Sequence, residues 1–185
     1  LSVLRMVKGA ISLEEINTKK EITGYDALYF TKDDNGVSFW LGQAKAGEKE
    51  YCKSGVVHDL EEKYKKEYFA DTAFFIADRK DTDELDNILT GINKICFDSQ
   101  RKNWDKDKKV EELLEFLKNE KVNLIIPCLL AYTKDVYNDS TKLKEKIEAE
   151  VNGIVSYIDK RSFPIETNLD WELLLWIFPI KDVNF

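Results

Sequence analysis

The stretch from Gly24 to Lys45, GYDALYFTKDDNGVSFWLGQAK, most constrains how this chain can fold. Aromatic and β-branched residues fill Tyr25–Thr31, and apolar and polar residues alternate over Val37–Lys45, as is typical of strands. The Asn-Gly pair between the two segments favours a tight hairpin turn. The sequence therefore predicts two antiparallel strands joined through residues 32–36.

The register of this hairpin decides which polar side chains meet. A two-residue Asn-Gly turn puts Asp26 opposite Lys45. A four-residue loop pairs Lys32 with Val37 and puts Asp26 opposite Gln43 instead. Because side chains alternate along a strand, both registers predict Asp26, Gln43 and Lys45 on one face, at one end of the hairpin.

Helices and strands alternate along the remainder of the chain. Helical spacing of apolar residues predicts four helices, at Glu50–Tyr68, Asp81–Phe97, Lys106–Asn119 and Lys142–Ile158. Short apolar runs predict three buried strands, at Thr72–Ala77, Val122–Tyr132 and Trp171–Ile180. Pro127 lies inside the second of these strands and predicts an edge or a bulge there.

The alternation predicts one α/β domain over residues 1–185, with a mixed central sheet flanked by helices. Leu1–Ile11 is a further strand candidate, and Ser12–Glu15 has the form of a capping box at the start of a helical turn. The chain opens on Leu1 and has no secretory signal. We therefore expect the full-length protein to be cytoplasmic and to have a further segment upstream of Leu1. We also expect three tryptophans, Trp40, Trp171 and Trp176, to lie in the core.

Composition excludes several classes of protein and of site. No apolar run approaches the roughly 18 residues that a membrane-spanning helix needs, so no membrane association is expected. The chain has one histidine, His58, and three widely spaced cysteines, which argues against a histidine-rich metal site, a histidine-based triad and a disulfide framework. Its net charge of −7 argues against non-specific coating of nucleic acid. Any chemistry therefore falls to carboxylates and lysine.

The polar end of the hairpin suits metal-assisted hydrolysis of a phosphodiester. Asp26 offers the hard oxygen that Mg²⁺ or Mn²⁺ prefers, and the Gln43 side-chain carbonyl or the Ala44 main-chain carbonyl offers a neutral one. Lys45 is suited to orient or deprotonate the attacking water and to offset charge on phosphate oxygens. One carboxylate is few for a tightly held cation, so we expect another acid from elsewhere.

Two neighbouring lysines extend this hypothesis, and a simpler interpretation competes with it. Lys49 and Lys53 follow the motif closely enough to contact backbone phosphates, although they equally fit the basic share of a charged helix start. Asp26 and Lys45 at strand ends also fit a solvated ion pair of little energetic value. Spacing alone favours the solvated pair, since the pattern has low specificity.

The order of elements resembles the PD-(D/E)xK nuclease superfamily, whose core runs helix, three-stranded meander, helix, strand. Gly24-Tyr-Asp26 matches its Asp motif, Gln43-Ala-Lys45 its last motif, Glu50–Tyr68 the following helix and Thr72–Ala77 the fourth strand. The glutamine resembles the variant of Mrr-like members. The resemblance implies a restriction-endonuclease-like core with Asp26, Gln43 and Lys45 as catalytic residues.

A closer resemblance, over most of the chain, is to the HamA family of nuclease subunits from Hachiman anti-phage defence. The segments that carry it are TGYDALYF, FWLGQAKAG, LIIPCLLAYTKD and LLLWIFPIKD. It implies a Mg²⁺-dependent deoxyribonuclease that acts on DNA with a superfamily-2 helicase partner.

The chain departs from these families at two positions. Gln43 stands where the HamA family generally has Glu, and an upstream superfamily Glu has only Glu14, Glu15 and Glu21 as candidates. The alternative function is a catalytically inactive module of the same fold that binds a helicase or nucleic acid.

Overall fold

Four strands form one sheet in the computed structural model, which describes residues 24–33, 36–78, 86–163 and 165–181. The strands are β1 (Ala27–Asp33), β2 (Gly36–Gly47), β3 (Asn123–Thr133) and β4 (Trp171–Ile180), and they lie in the order β1-β2-β3-β4. β1 runs antiparallel to β2, whereas β2, β3 and β4 are mutually parallel. The predicted mixed sheet is therefore confirmed.

Five α-helices and one short 3-10 turn complete the described part of the chain. The helices are α1 (Lys49–Lys63), α2 (Lys66–Ala77), α3 (Asp86–Arg101), α4 (Lys106–Asn119) and α5 (Leu143–Asp159), and the 3-10 turn is Ser140–Lys142. The helix at Lys106–Asn119 and the strand at Trp171–Ile180 have the predicted bounds. Asp105 caps α4, because its side chain accepts a hydrogen bond from the Lys108 backbone N–H.

The hairpin adopts the second of the two registers that the sequence allows. Lys32 pairs with Val37, and Ala27 pairs with Gly42. Ladder pairing continues to Asp33 and Gly36, so only residues 34–35 lie between the strands. The ladder ends at Ala27 with Gly42, one residue after Asp26.

The prediction of a strand at Thr72–Ala77 is wrong, because this segment is the second half of α2. Its apolar residues continue a helical stripe that begins upstream, and the buried members are Phe69, Ala70, Ala73, Ile76 and Ala77. The single helix predicted at Glu50–Tyr68 is in fact divided between α1 and α2. Tyr64 lies at the division, fully buried, and its hydroxyl donates to the Leu41 carbonyl at 2.6 Å. Since Thr72–Ala77 is helical, the next strand of the sheet after the hairpin is β3.

The prediction that Pro127 marks an edge or a bulge is also wrong. β3 is an interior strand, paired with β2 on one side and β4 on the other. The register is the same at Trp40 with Ile125 as at Gln43 with Cys128, so no residue is inserted between them. Gly42 accommodates the proline ring, because a Cβ at this position would lie 3.0 Å from Pro127 Cγ.

Helices α1 and α5 pack against the sheet, and the other described helices pack beside them. α1 packs on β2 and β3, α5 packs on α1 and β4, and α2, α3 and α4 pack on one another. Along β3 the core side chains alternate and are fully buried, as Leu124, Ile126, Cys128, Leu130 and Tyr132.

Two further expectations concern the burial of Trp171 and the structure of the N-terminal segment. Trp171 is expected in the core but is 48% exposed at the start of β4, so that expectation is wrong. The expectations for Leu1–Ile11 and Ser12–Glu15 fall outside the described residues. Within the described residues, no helix has the length and apolar character to cross a membrane.

Candidate active site

The core-facing side of β2 changes from apolar to polar at its C-terminal end. Phe39 and Leu41 are 1% exposed, and Gln43 continues the same row at 2% exposed. Lys45 comes next and runs along α1, where a Cβ on Gly55 would lie 3.2 Å from the lysine Cδ and Cε. The glycine therefore lets the Lys45 side chain pass close to the helix backbone.

Asp26 precedes β1 and closes the hairpin with both its backbone and its side chain. Its backbone N–H donates to the Gly42 carbonyl at 2.9 Å. Its Oδ2 accepts from the Ala44 backbone N–H at 2.7 Å, and the residue is exposed. The carboxylate is thus oriented by β2 while remaining open to solvent.

An acid that the sequence analysis missed lies beneath these residues. Asp59, in α1, is 6% exposed, and its two carboxylate oxygens face different lysines. Lys45 Nζ lies 2.5 Å from Oδ2 of Asp59, and Lys63 Nζ lies 3.0 Å from Oδ1. Two ammonium groups therefore share one buried carboxylate.

Gln43 is held at both ends of its amide. Its Nε2 donates to the Gly24 carbonyl at 2.9 Å, and its Oε1 accepts from Lys63 Nζ at 2.8 Å. The side-chain oxygen expected to bind a metal is thus engaged by an ammonium group. In this arrangement Gln43 links the start of β1 to α1.

The surroundings of Lys45 favour its ammonium form. Burial alone would lower the pKa of Lys45, but the hydrogen bond and charge of Asp59, together with the charge of Asp26, outweigh it and raise that pKa above its ordinary value. Lys45 is therefore a cation at neutral pH. As a cation, Lys45 is suited to orienting water and to offsetting negative charge. It is not suited to deprotonating water.

The cysteines near the site are unsuited to nucleophilic attack. Burial raises the pKa of Cys128 to about 12. Burial likewise raises the pKa of Cys52, whose Sγ lies 3.6 Å from the Ala131 carbonyl oxygen. Reactive thiols need the opposite shift, so neither cysteine is suited to act as a nucleophile.

The two lysines expected to contact nucleic acid both have partners within the chain. Lys49 Nζ lies 2.5 Å from Glu150 Oε2, and Lys53 Nζ lies 2.7 Å from Glu50 Oε1. Lys53 also lies over the Tyr157 ring, 4.8 Å from its centroid. Contact with phosphates would require these ammonium groups to leave or share their carboxylates.

A metal ion would find the exposed carboxylate of Asp26 at this end of the hairpin. No cluster of three or more His, Cys, Asp or Glu side chains suited to a metal occurs in the part of the chain that the structure describes. Asp26 fits a Mg²⁺ ligand, since this ion commonly uses one or two carboxylates with water and substrate phosphates. Gln43 does not fit while Lys63 occupies its Oε1, and the candidates Glu14, Glu15 and Glu21 lie outside the described residues.

Comparison with known proteins identifies a family for the chain. The family model HamA matches residues 11–184, a span that includes Asp26, Gln43, Lys45 and Asp59. Comparisons with curated proteins and with solved structures gave no significant match. The chain belongs to the HamA family of Hachiman antiviral defence components.

Proposed function

We propose that this chain hydrolyses phosphodiester bonds of DNA with the help of Mg²⁺ or Mn²⁺, as the nuclease of its defence system. The observation that carries the proposal is that an exposed carboxylate and an ammonium group lie at the same end of the hairpin. Asp26 is oriented there by Ala44, and its charge contributes to the raised pKa of Lys45. A metal ligand beside a fixed cation is the combination that phosphodiester hydrolysis needs.

Asp26 is the described residue that would hold the metal ion. The main-chain carbonyl of Ala44, the next candidate ligand, belongs to β2, where Ala44 pairs with Leu129 of β3. When bound, the ion would lower the pKa of a water ligand and neutralise charge on the phosphate. A single carboxylate binds Mg²⁺ weakly, so substrate phosphate oxygens would complete the site.

Lys45 would act on the substrate through its fixed positive charge. Its side chain is 17% exposed, and Asp59 holds its ammonium group in place. Negative charge grows on the phosphoryl oxygens as water attacks, and a cation already in position stabilises it without reorganisation. Gln43 would serve as a positioning residue rather than as a ligand.

DNA and a helicase are the proposed partners of this site. Membership of the HamA family supports a role alongside other Hachiman components. A superfamily-2 helicase would bring DNA to a chain whose own net charge of −7 opposes non-specific binding. Lys49 and Lys53 would contact backbone phosphates by leaving or sharing their present carboxylate partners.

Plasmid cleavage by purified protein tests the proposal, with the chain assayed alone and together with its helicase partner. Asp26→Ala should abolish Mg²⁺-dependent cleavage, a loss of about 100-fold or more, because it removes the proposed metal ligand. EDTA should abolish cleavage by the wild type. Asp71→Ala is the matched control, since Asp71 is an exposed acid on α2 paired with Lys106. Cleavage by Asp26→Ala at the wild-type rate would contradict the proposal.

A second candidate function is a module of the same fold that binds a helicase or nucleic acid without cleaving it. The contact between Lys63 and Gln43 Oε1 favours it, since an ammonium group occupies an expected ligand oxygen. This alternative predicts no cleavage by the complete complex and a stable association with the helicase. The same assay, run beside size-exclusion chromatography of the mixture, separates the two functions.

A further inference from the structure

We propose that Asp59 is a positioning residue that holds the Lys45 ammonium group in place for catalysis, an inference that rests on the proposed function. Nothing in the motif that predicts the site points to this acid, which lies in the helix after it. The contact is between Lys45 Nζ and Asp59 Oδ2, at 2.5 Å. Asp59 does not itself need to touch the substrate.

Because the Asp59 carboxylate is buried, its negative charge needs neighbouring cations to stabilise it. The Asp59 side chain is 8% exposed, and its neighbours along α1 include Val56 and Leu60, which are 0% and 1% exposed. A carboxylate removed from water is costly unless cations compensate it. Lys45 is therefore drawn toward α1 rather than left free to sample solvent.

The second lysine fixes the orientation of the carboxylate. Lys63 lies one helical turn beyond Asp59 and contacts the opposite oxygen, Oδ1, at 3.0 Å. Lys63 is fixed in turn by Gln43 Oε1 at 2.8 Å. With one oxygen occupied from within α1, the remaining oxygen presents a single defined position to Lys45.

The charges at this site leave the lysine available for a substrate anion. Two ammonium groups share one buried carboxylate, so the cluster of Lys45, Asp59 and Lys63 carries a net positive charge. Lys45 and Lys63 are 17% and 20% exposed, whereas the acid is shielded. The cluster therefore combines one shielded negative charge with two lysine side chains that each remain partly exposed.

A double-variant cycle in steady-state cleavage tests whether Asp59 acts through Lys45. Asp59→Asn keeps the shape of the side chain and removes its charge. We expect kcat to fall roughly tenfold or more with KM changed less than about threefold, because an ion-paired hydrogen bond is weakened. In the Lys45→Ala background the same substitution should cause no further loss.

Glu150→Gln is the matched control for this cycle. Glu150 also lies 2.5 Å from a lysine of α1, Lys49, but it makes no contact with Lys45, Gln43 or Asp26 among those the structure gives. Neutralising it should leave kcat within about twofold of the wild type. A comparable fall of kcat in Glu150→Gln would overturn the proposal, since loss of any buried pair would then suffice.

Other outcomes separate this inference from the proposed function. Wild-type kcat in Asp59→Asn, or an equal additional loss in the Lys45→Ala background, would overturn the role of Asp59 while leaving the nuclease function intact. If Asp59→Asn does not fold, Asp59→Glu keeps the charge, moves it by one methylene group, and should show the same non-additive loss.

If the wild type does not cleave DNA, the proposed function fails and the geometry is tested by NMR. A slowly exchanging ¹⁵N signal of the Lys45 ammonium group should be present in the wild type and in Glu150→Gln, and lost in Asp59→Asn. Retention of that signal in Asp59→Asn would overturn the positioning role.

Discussion

Two ion pairs of equal length start from lysines four residues apart, and the groups around them differ. Lys45, near the end of β2, lies 2.5 Å from Asp59, and Lys49, at the start of α1, lies 2.5 Å from Glu150. The acids are 8% and 13% exposed, so both pairs are largely shielded from water. Distance and burial alone do not tell the catalytic candidate from the structural contact.

The groups around each pair make the distinction. Lys45 is influenced by the exposed carboxylate of Asp26, which has no ammonium partner among the contacts the structure gives. Glu150 accepts in addition from the Tyr132 hydroxyl at 3.1 Å and lies 3.9 Å from Lys134. The first pair therefore faces an open polar edge, whereas the second joins α1, β3 and α5.

The two pairs differ in what lies beside them. At the Glu150 pair, the contacts tie α1, β3 and α5 together. At the Asp59 pair, the buried acid holds a lysine beside a free carboxylate. Substitutions at the two acids should accordingly change different properties of the protein.

The largest expected change at the second pair is in stability. Glu150→Ala removes the contacts with Lys49 and Tyr132, and hydrogen bonds to charged groups contribute about 1.5 to 3 kcal/mol each. We expect the free energy of unfolding, measured by urea denaturation, to fall by about 3 kcal/mol. The rate of cleavage at saturating DNA should stay unchanged. A large loss of cleavage rate in Glu150→Ala would contradict the view that only the Lys45–Asp59 pair contributes to cleavage.

A smaller change is expected when pH is lowered. Burial alone would raise the pKa of Glu150, but the hydrogen bond and charge of Lys49 and the hydrogen bond from Tyr132 outweigh it, and that pKa lies below its ordinary value of 4.5. A lowered pKa in the folded state contributes stability above 4.5 that is lost as pH falls through the folded value.

The difference in melting temperature between wild type and Glu150→Gln measures this contribution. It should be constant from pH 7 to pH 5 and should shrink below about pH 4.5. A difference that stays constant to pH 3 would mean that the charge of Glu150 contributes nothing to stability.

Much of the fold can be predicted because periodicity is a local property. Lys106–Asn119 carries a clear helical stripe with an Asp cap, and Trp171–Ile180 is a long apolar run, so the predicted bounds of both agree with the observed ones. Thr72–Ala77 is mistaken for a strand because a short apolar run fits a buried strand and a buried helix equally well. Pro127 is misjudged because the compensating Gly42 belongs to another strand.

The candidate site can be predicted only in part. Strand alternation by itself predicts Asp26, Gln43 and Lys45 on one face of the hairpin. Asp59 cannot be found in this way, since it lies in a charged segment, HDLEEK, whose acids all look solvated in sequence. Its burial depends on how α1 packs on β2, which is a tertiary contact.

Cleavage by Lys45→Ala tests the central claim most directly, because Lys45 is the residue on which the two interpretations of the hairpin differ. Single-turnover cleavage of DNA at saturating Mg²⁺ should fall by about 100-fold or more relative to the wild type, as expected on loss of a fixed charge at the transition state. The melting temperature should fall by only a few degrees, since Lys63 still compensates Asp59. Cleavage at the wild-type rate by a folded Lys45→Ala variant would contradict the account and leave the Lys45–Asp59 pair as a structural contact alone.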